Sequence, residues 1–324
     1  MEHWIKYSYL LIFSVLLILI GLLAGPSNLT LKEIFEGLFV LDEEHISSTI
    51  IWNIRIPRIA VSIVTGACLG LAGVLIQLST RSTFGDPNLF GVGGGSIIFL
   101  ATATAGIVAL NQITIFVGCL ISSLLVALVL SKLISSKDLS PVKLAIIGIA
   151  IGALTVSIGT SIISLGRVFP TQVIGLITGS FSSSNWETLK YIFPTFTICL
   201  GSSLLLSKKF YPIMLGDVLS KSLGVNPINT RTLSMGLVGI LAGSAVFAGG
   251  LIAFIGLLSP HITRRLLNNS PTHLVIGSSW IGAILAIGAD QISRLLFAPT
   301  ELPVGMATTI LGAPLMIYLA CKMK

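Results

Sequence analysis

Long runs free of Asp, Glu, Lys and Arg decide what this chain can fold into. They cover Tyr7–Leu31, Ile59–Thr80, Pro87–Ser131, Leu144–Gly166, Tyr191–Ser207, Thr232–Thr263, Leu266–Ala289 and Leu302–Cys321. A helix crosses the hydrocarbon core of a bilayer in about 20 apolar residues, and a charge at that depth costs about 2.5–3.5 kcal/mol. Charges therefore collect at helix ends, and each run reads as membrane-embedded. Only 10% of the 324 residues are charged and 54% are hydrophobic, against about 25% charged in soluble domains. The Gly and Pro residues follow no collagen-like period and form no low-complexity tract, which excludes fibrous and disordered classes.

Two runs are double. Pro87–Ser131 carries the polar pair Asn111-Gln112 at its middle, where a tight turn joins two spans. Thr232–Thr263 is divided by Gly249-Gly250, leaving Leu251–Ile262 as a half-depth helix. The count is about ten transmembrane helices in a single domain over residues 1–324. Thr171–Ser184 is left as a short re-entrant or interfacial helix, because Pro170 and Ser182-Ser183-Ser184-Asn185 make a poor span. The run after Lys6 is too long for a signal-peptide core and reads as the first span.

Ten crossings place both termini on one side. With the N-terminus in the cytoplasm, thirteen of the 19 Lys and Arg residues fall inside, and Lys32, Arg55, Arg58, Arg167, Lys190 and Arg294 fall outside. That distribution satisfies the positive-inside rule. Acidic residues gather outside at Glu33, Glu36, Asp42, Glu43 and Glu44. The net charge of +7 thus reads as topology, since no basic stretch of the kind that binds nucleic acid is present.

Absences remove further classes. No Gly-Lys dipeptide occurs, so this chain has no phosphate-binding Walker loop. The four His residues form no zinc-protease pair, no Ser sits in a Gly-x-Ser-x-Gly elbow, and Cys68, Cys119, Cys199 and Cys321 lie far apart. The expectation is no catalytic residue, no metal and no cofactor. Ionisable residues near spans are confined to predicted helix ends, at Asp290, Arg167 and Glu187. A stand-alone carrier using Asp290 and Arg294 as an ion relay is the rival from another class.

Two segments carry functional expectations. Trp52-Asn53-Ile54-Arg55-Ile56-Pro57-Arg58 opens the second span, with Pro57 suited to a first helical turn. Its two arginines either snorkel to head groups or meet an acidic partner outside. Leu215-Gly216-Asp217-Val218-Leu219-Ser220-Lys221-Ser222-Leu223-Gly224 reads as a short cytoplasmic helix. Asp217 is expected to cap it and Gly224 to end it in a left-handed turn. Its largely apolar face of Val218, Leu219, Ser222 and Leu223 lies either on lipid or in a protein groove.

Taken in order, these residues resemble the FecCD family. The matching motifs are Arg55-Ile-Pro-Arg58, Gly66-Ala-Cys-Leu-Gly-Leu-Ala-Gly73, Gln77, Thr80-Arg81 and Asp86-Pro-Asn-Leu-Phe-Gly91. Further on come Leu215-Gly216-Asp217, Leu223-Gly224-Val225, Phe254-Ile-Gly-Leu-Leu-Ser-Pro260-His261 with Arg264-Arg265, Ala289-Asp290 with Arg294, Glu301-Leu-Pro-Val-Gly305 and Leu311-Gly-Ala-Pro314. The chain departs from the family at Arg81-Ser-Thr-Phe-Gly-Asp86 in its first cytoplasmic loop. The resemblance implies an all-α, BtuC-like ABC permease fold in the cytoplasmic membrane. It implies a second permease chain, same or sister, two ATP-binding cassette ATPase subunits and an extracytoplasmic substrate-binding protein. A ferric siderophore is the favoured cargo, ahead of haem and cobalamin. The same resemblance places binding-protein docking on Arg55, Arg58 and Arg294. ATPase coupling falls on residues 215–225, through Leu215, Gly216, Asp217, Leu219, Leu223 and Gly224. A supporting cytoplasmic loop holds Pro260, His261, Arg264 and Arg265, with the His261 imidazole bonding backbone carbonyls freed by Pro260. The small residues of Gly91-Val-Gly-Gly-Gly-Ser96 are expected to allow close helix packing.

Overall fold

A computed structural model describes residues 2–23, 25, 30–39, 46–107, 110–136, 141–166, 170–267, 269–296 and 300–322. Asp42, Glu43, Glu44 and Arg167 lie outside the described residues. The fold is all-α. Its helices are α1 (Glu2–Leu23), α2 (Leu31–Phe39), α3 (Ile46–Ile50), α4 (Ile56–Thr80), α5 (Val92–Thr104), α6 (Gln112–Ser136) and α7 (Pro141–Leu165). They continue as α8 (Pro170–Thr178), α9 (Trp186–Leu215), α10 (Asp217–Ser222), α11 (Pro227–Gly249), α12 (Ile255–Leu266), α13 (Pro271–Leu295) and α14 (Val304–Lys322). One helix stands at each of the ten expected crossings. Six described segments are long and apolar enough to cross a membrane by length and composition: 46–80, 112–134, 145–165, 186–215, 227–249 and 271–295. Apolar stretches at 7–23, 92–104 and 304–318 are shorter, and α12 has 12 residues.

The second span begins earlier than its charges suggest. α3, a π-helical turn at Ile51–Arg55 and α4 run on as one helix, with Arg55 and Arg58 inside it. Pro57 has no N–H to close an α turn onto Asn53. The ladder widens there instead, Ile56 N–H bonding to Ile51 O. The charge-free run at 7–31 is likewise not one helix, since α1 ends at Leu23 and α2 begins at Leu31.

α4 is the buried centre, and small residues let its neighbours approach. A Cβ on Gly66 would stand 2.3 Å from Gly282 O of α13, on Gly70 2.1 Å from Ser278 O, and on Gly73 1.9 Å from Gly256 O of α12. Close backbone packing of this kind replaces the hydrophobic drive that lipid removes between helices. Gly256 is also the residue whose helical donor Pro260 would have been, so α4 packs against a carbonyl that the proline leaves free. The expected packing role of the run from Gly91 to Ser96 holds: a Cβ on Gly94 would meet Thr155 Oγ1 of α7 at 1.9 Å, and Ser96 Oγ donates to Cys119 O of α6 at 2.6 Å.

Between α11 and α12 the backbone is irregular from Gly250 to Phe254, where Gly250 and Phe254 both have positive φ, 71° and 70°. Non-helical backbone at membrane depth has to find its bonds inside the protein. Here Ser180 N–H donates to Gly249 O at 2.9 Å, Leu251 N–H to Leu176 O at 3.1 Å, and Val304 N–H to Gly179 O at 3.0 Å. The short α8, the break after α11 and the start of α14 are thereby stitched together.

Candidate functional site

Two ends of the bundle and one cavity hold the candidate residues. At the first end α9 stops at Gly216, whose φ of 119° suits only glycine. α10 follows. Its N-cap is Gly216, not Asp217, and no side chain caps it, which corrects the expected role of Asp217. The Asp217 carboxylate turns outward instead and bonds Arg231 of α11 at 2.7 and 3.0 Å, and Arg81 after α4. Burial pushes this carboxyl up, but the bonds from Arg231 and the charges of both guanidiniums outweigh it and hold it below the usual carboxylate range.

The other end of α10 is as the sequence specifies. Gly224 has φ 78°, Gly224 N–H bonds Lys221 O at 3.0 Å and Val225 N–H bonds Ser220 O at 2.9 Å, the paired bonds of a Schellman motif. Ser220 faces inward, while Val218, Leu219 and Leu223 are 83%, 52% and 60% exposed. Leu215, Met214 and Tyr211 extend the exposed apolar surface onto α9.

Pro260, His261, Arg264 and Arg265 do not form a loop. They lie in α12, with the arginines in its last turn. His261 sits mid-helix, and its buried Nε2 finds no hydrogen-bond partner among the described residues, so the expected bond to freed carbonyls is not made through that atom. Arg264 reaches back to α4, donating to Gln77 Oε1 at 2.6 Å, and Gln77 donates to Gly85 O at 3.2 Å. Asp86, fully buried in the segment between α4 and α5, was absorbed into the sequence signature without a role of its own. Its Oδ1 accepts from the N–H groups of Asn88 and Leu89 at 2.9 and 3.0 Å. Its Oδ2 closes no hydrogen bond but faces the Gly256 and Leu257 amides at the start of α12. Burial, only partly offset by these donors, pushes the Asp86 carboxyl up to about 6.

At the opposite end the three expected docking arginines are buried: Arg55 is 2% exposed, Arg58 6% and Arg294 3%. Arg58 lies between two carboxylates, with Nε and Nη2 on Asp290 at 2.9–3.1 Å and Nη1 on Glu301 at 2.9 and 3.0 Å. Arg55 donates to Leu22 O and, at 3.3 Å, to Leu23 O, and Arg294 donates to Gly21 O at 3.0 Å. These carbonyls belong to the last turn of α1, at its negative dipole end. Within this chain, Arg55 and Arg294 thus bond the end of α1, and Arg58 bonds two acids. Asp290, the centre of the ion-relay rival, is occupied by Arg58.

A cavity of about 520 Å³ lies between α5, α8 and the end of α11. Leu100, Thr104, Ser180, Ser182 and Ser183 line it together with backbone at Gly175 and Gly249-Gly250, and no charged side chain is among its lining residues. The Gly pair and the Ser run were its only signals, and each reads locally as a helix breaker. No group of three or more His, Cys, Asp or Glu residues able to hold a metal occurs among the described residues.

The sequence model of the FecCD transport family matches residues 11–322. The chain belongs to the FecCD transport family. Among its relatives, the Fe(3+)-citrate import system permease protein YfmD of Bacillus subtilis is 33% identical, covering 97% of this chain and 96% of YfmD. The iron-uptake system permease protein FeuB of the same organism is 32% identical, covering 93% and 91%. A solved metal-chelate type ABC transporter in an inward-facing conformation superimposes with a TM-score of 0.81 at 27% identity, covering 98% of this chain and 99% of that one. In this FecCD chain the family's shared fold is thus present over nearly its whole length.

Proposed function

We propose that this FecCD chain is the membrane permease subunit of an importer for ferric chelates of the siderophore class, powered by separate ATP-binding subunits. The observation that carries the reading is α10, a six-residue helix closed at its C-terminal end by Gly224, with Val218, Leu219 and Leu223 exposed beside charged contacts to Arg81 and α11. Its apolar face suits a groove in an ATPase subunit, and the lack of a Gly-Lys dipeptide in this chain supports leaving hydrolysis to that subunit. The α10 end and both termini are assigned to the cytoplasm, and the Arg58 end to an extracytoplasmic binding protein. The cargo follows from the iron-import permeases YfmD and FeuB.

A second permease chain completes the path, and the hydroxyl-lined cavity of about 520 Å³ lies along it. An uncharged lining lets a bulky chelate pass without being held, so selectivity rests with the binding protein. The test is deletion of the gene followed by uptake of radioiron presented as ferric citrate, a hydroxamate or a catecholate, with haem and cobalamin utilisation scored in parallel. Loss of one or more ferric chelates with haem and cobalamin intact is expected. Loss confined to haem or cobalamin replaces the cargo.

A further inference from the structure

α10 is a short rod between two hinges. Gly216 and Gly224 have φ of 119° and 78°, and at neither does any atom lie within 4 Å of where a Cβ would stand. Both turning points are therefore in open space. Within the rod the polar groups bond inward: Ser220 N–H and Oγ to Gly216 O at 2.9 and 2.7 Å, and Ser222 Oγ to Leu219 O at 2.9 Å. Among the described residues, Asp217 is the one member of α10 whose side chain bonds another helical element.

Its two partners come from different parts of the bundle. Arg231 lies in the second turn of α11 and is 9% exposed. Arg81 is the residue that ends α4, with a left-handed backbone at φ 54°. α4 is the buried centre of the molecule, packed on α13, α12, α11 and α9. A single carboxylate thus joins the hinged rod to the helix on which the rest of the fold is built. It also stands between two guanidiniums that repel one another without it.

We propose that Asp217 is the positioning residue through which displacement of α10 reaches α4 and α11. A carboxylate in this place holds Arg81 and Arg231 together, and movement of the rod carries both with it. Asparagine can accept one of these hydrogen bonds but cannot balance two cations, so with Asn the glycine hinges absorb the movement. Glutamate keeps the charge at the cost of one added methylene. The proposal rests on the reading of α10 as the helix that docks an ATPase subunit.

The experiment uses the purified complex of permease, ATPase subunits and loaded binding protein in lipid nanodiscs or proteoliposomes. The variants are Asp217→Asn, Asp217→Glu, the double Arg81→Gln/Arg231→Gln and the triple. D217N is expected to retain its ATPase subunits through purification while transporting about tenfold less chelate per ATP hydrolysed, within the usual range of coupling between sites. D217E is expected to recover part of that loss. The arginine double should match D217N, and the triple should be no worse than either, as for members of one network. Wild-type coupling in D217N overturns the proposal. Additive losses overturn it too, because the three residues then act apart. Loss of the ATPase subunits from D217N also overturns it, by moving Asp217 into the docking face. Leu219→Asp separates the two levels: if it keeps its ATPase subunits and couples normally, the docking reading of α10 fails whatever D217N does.

Discussion

Arg58 has a side-chain exposure of 7% and Asp290 of 4%, and they meet through three hydrogen bonds. Removing one partner of a buried pair leaves the other charge without compensation, at about 3–5 kcal/mol. Arg58→Gln is therefore expected to lower the thermal stability of the detergent-purified permease and its yield, whereas a docking arginine on the rim would cost about 1 kcal/mol or less. A melting temperature equal to wild type, together with slower binding-protein association, would return Arg58 to a docking role. Asp86 gives a second residue-level outcome. Its folded carboxyl titrates at about 6, above its ordinary 3.8, so between these values the native state binds the extra proton. The stability contributed by Asp86 is thus greatest at low pH, falls as pH rises through this window, and is lower by about 3 kcal/mol above it. Melting curves of wild type and Asp86→Asn should diverge with pH between 4 and 6, wild type losing stability relative to the variant as pH rises; parallel curves would show that Asp86 is ionised throughout.

Single elements differ in how far their own sequence specifies them. α10 is almost fully legible, because Gly216 and Gly224 are needed at positive φ and the exposed Leu219 and Leu223 alternate with a buried Ser220. The role of Asp217 was legible only as a cap, since a local pattern cannot reveal Arg81, which is 136 positions away. α12 departs from the expected cytoplasmic loop: Pro260, His261, Arg264 and Arg265 lie inside the helix, and α4 packs against the carbonyl that Pro260 leaves free. Gly73→Val tests that packing. The added Cβ alone would stand 1.9 Å from Gly256 O, and overpacking costs about 1–3 kcal/mol or more. Reduced thermal stability with α10 docking intact is expected. Wild-type stability would mean that α4 and α12 separate without cost.

For the whole molecule, the orientation is open to direct measurement. Of the native cysteines, Cys68, Cys119 and Cys199 are buried and Cys321 is exposed, so Cys321→Ser supplies a background of low reactivity. Val218→Cys should react with an impermeant thiol reagent in inverted vesicles and not in intact cells, and Lys32→Cys the reverse. The opposite pattern inverts the assignment of both ends. What the sequence by itself determined is that the chain is built of apolar helices and roughly which segments form them. Those features depend on local apolarity weighed against charge, and on Gly and Pro acting within a few residues. The tertiary structure alone decided which arginine serves which purpose. Arg58 lies 232 and 243 positions from Asp290 and Glu301, and Arg294 lies 273 positions from the α1 carbonyl it caps. Buried charges take whatever partners the packed helices bring within reach, and that proximity is a property of the bundle rather than of any segment.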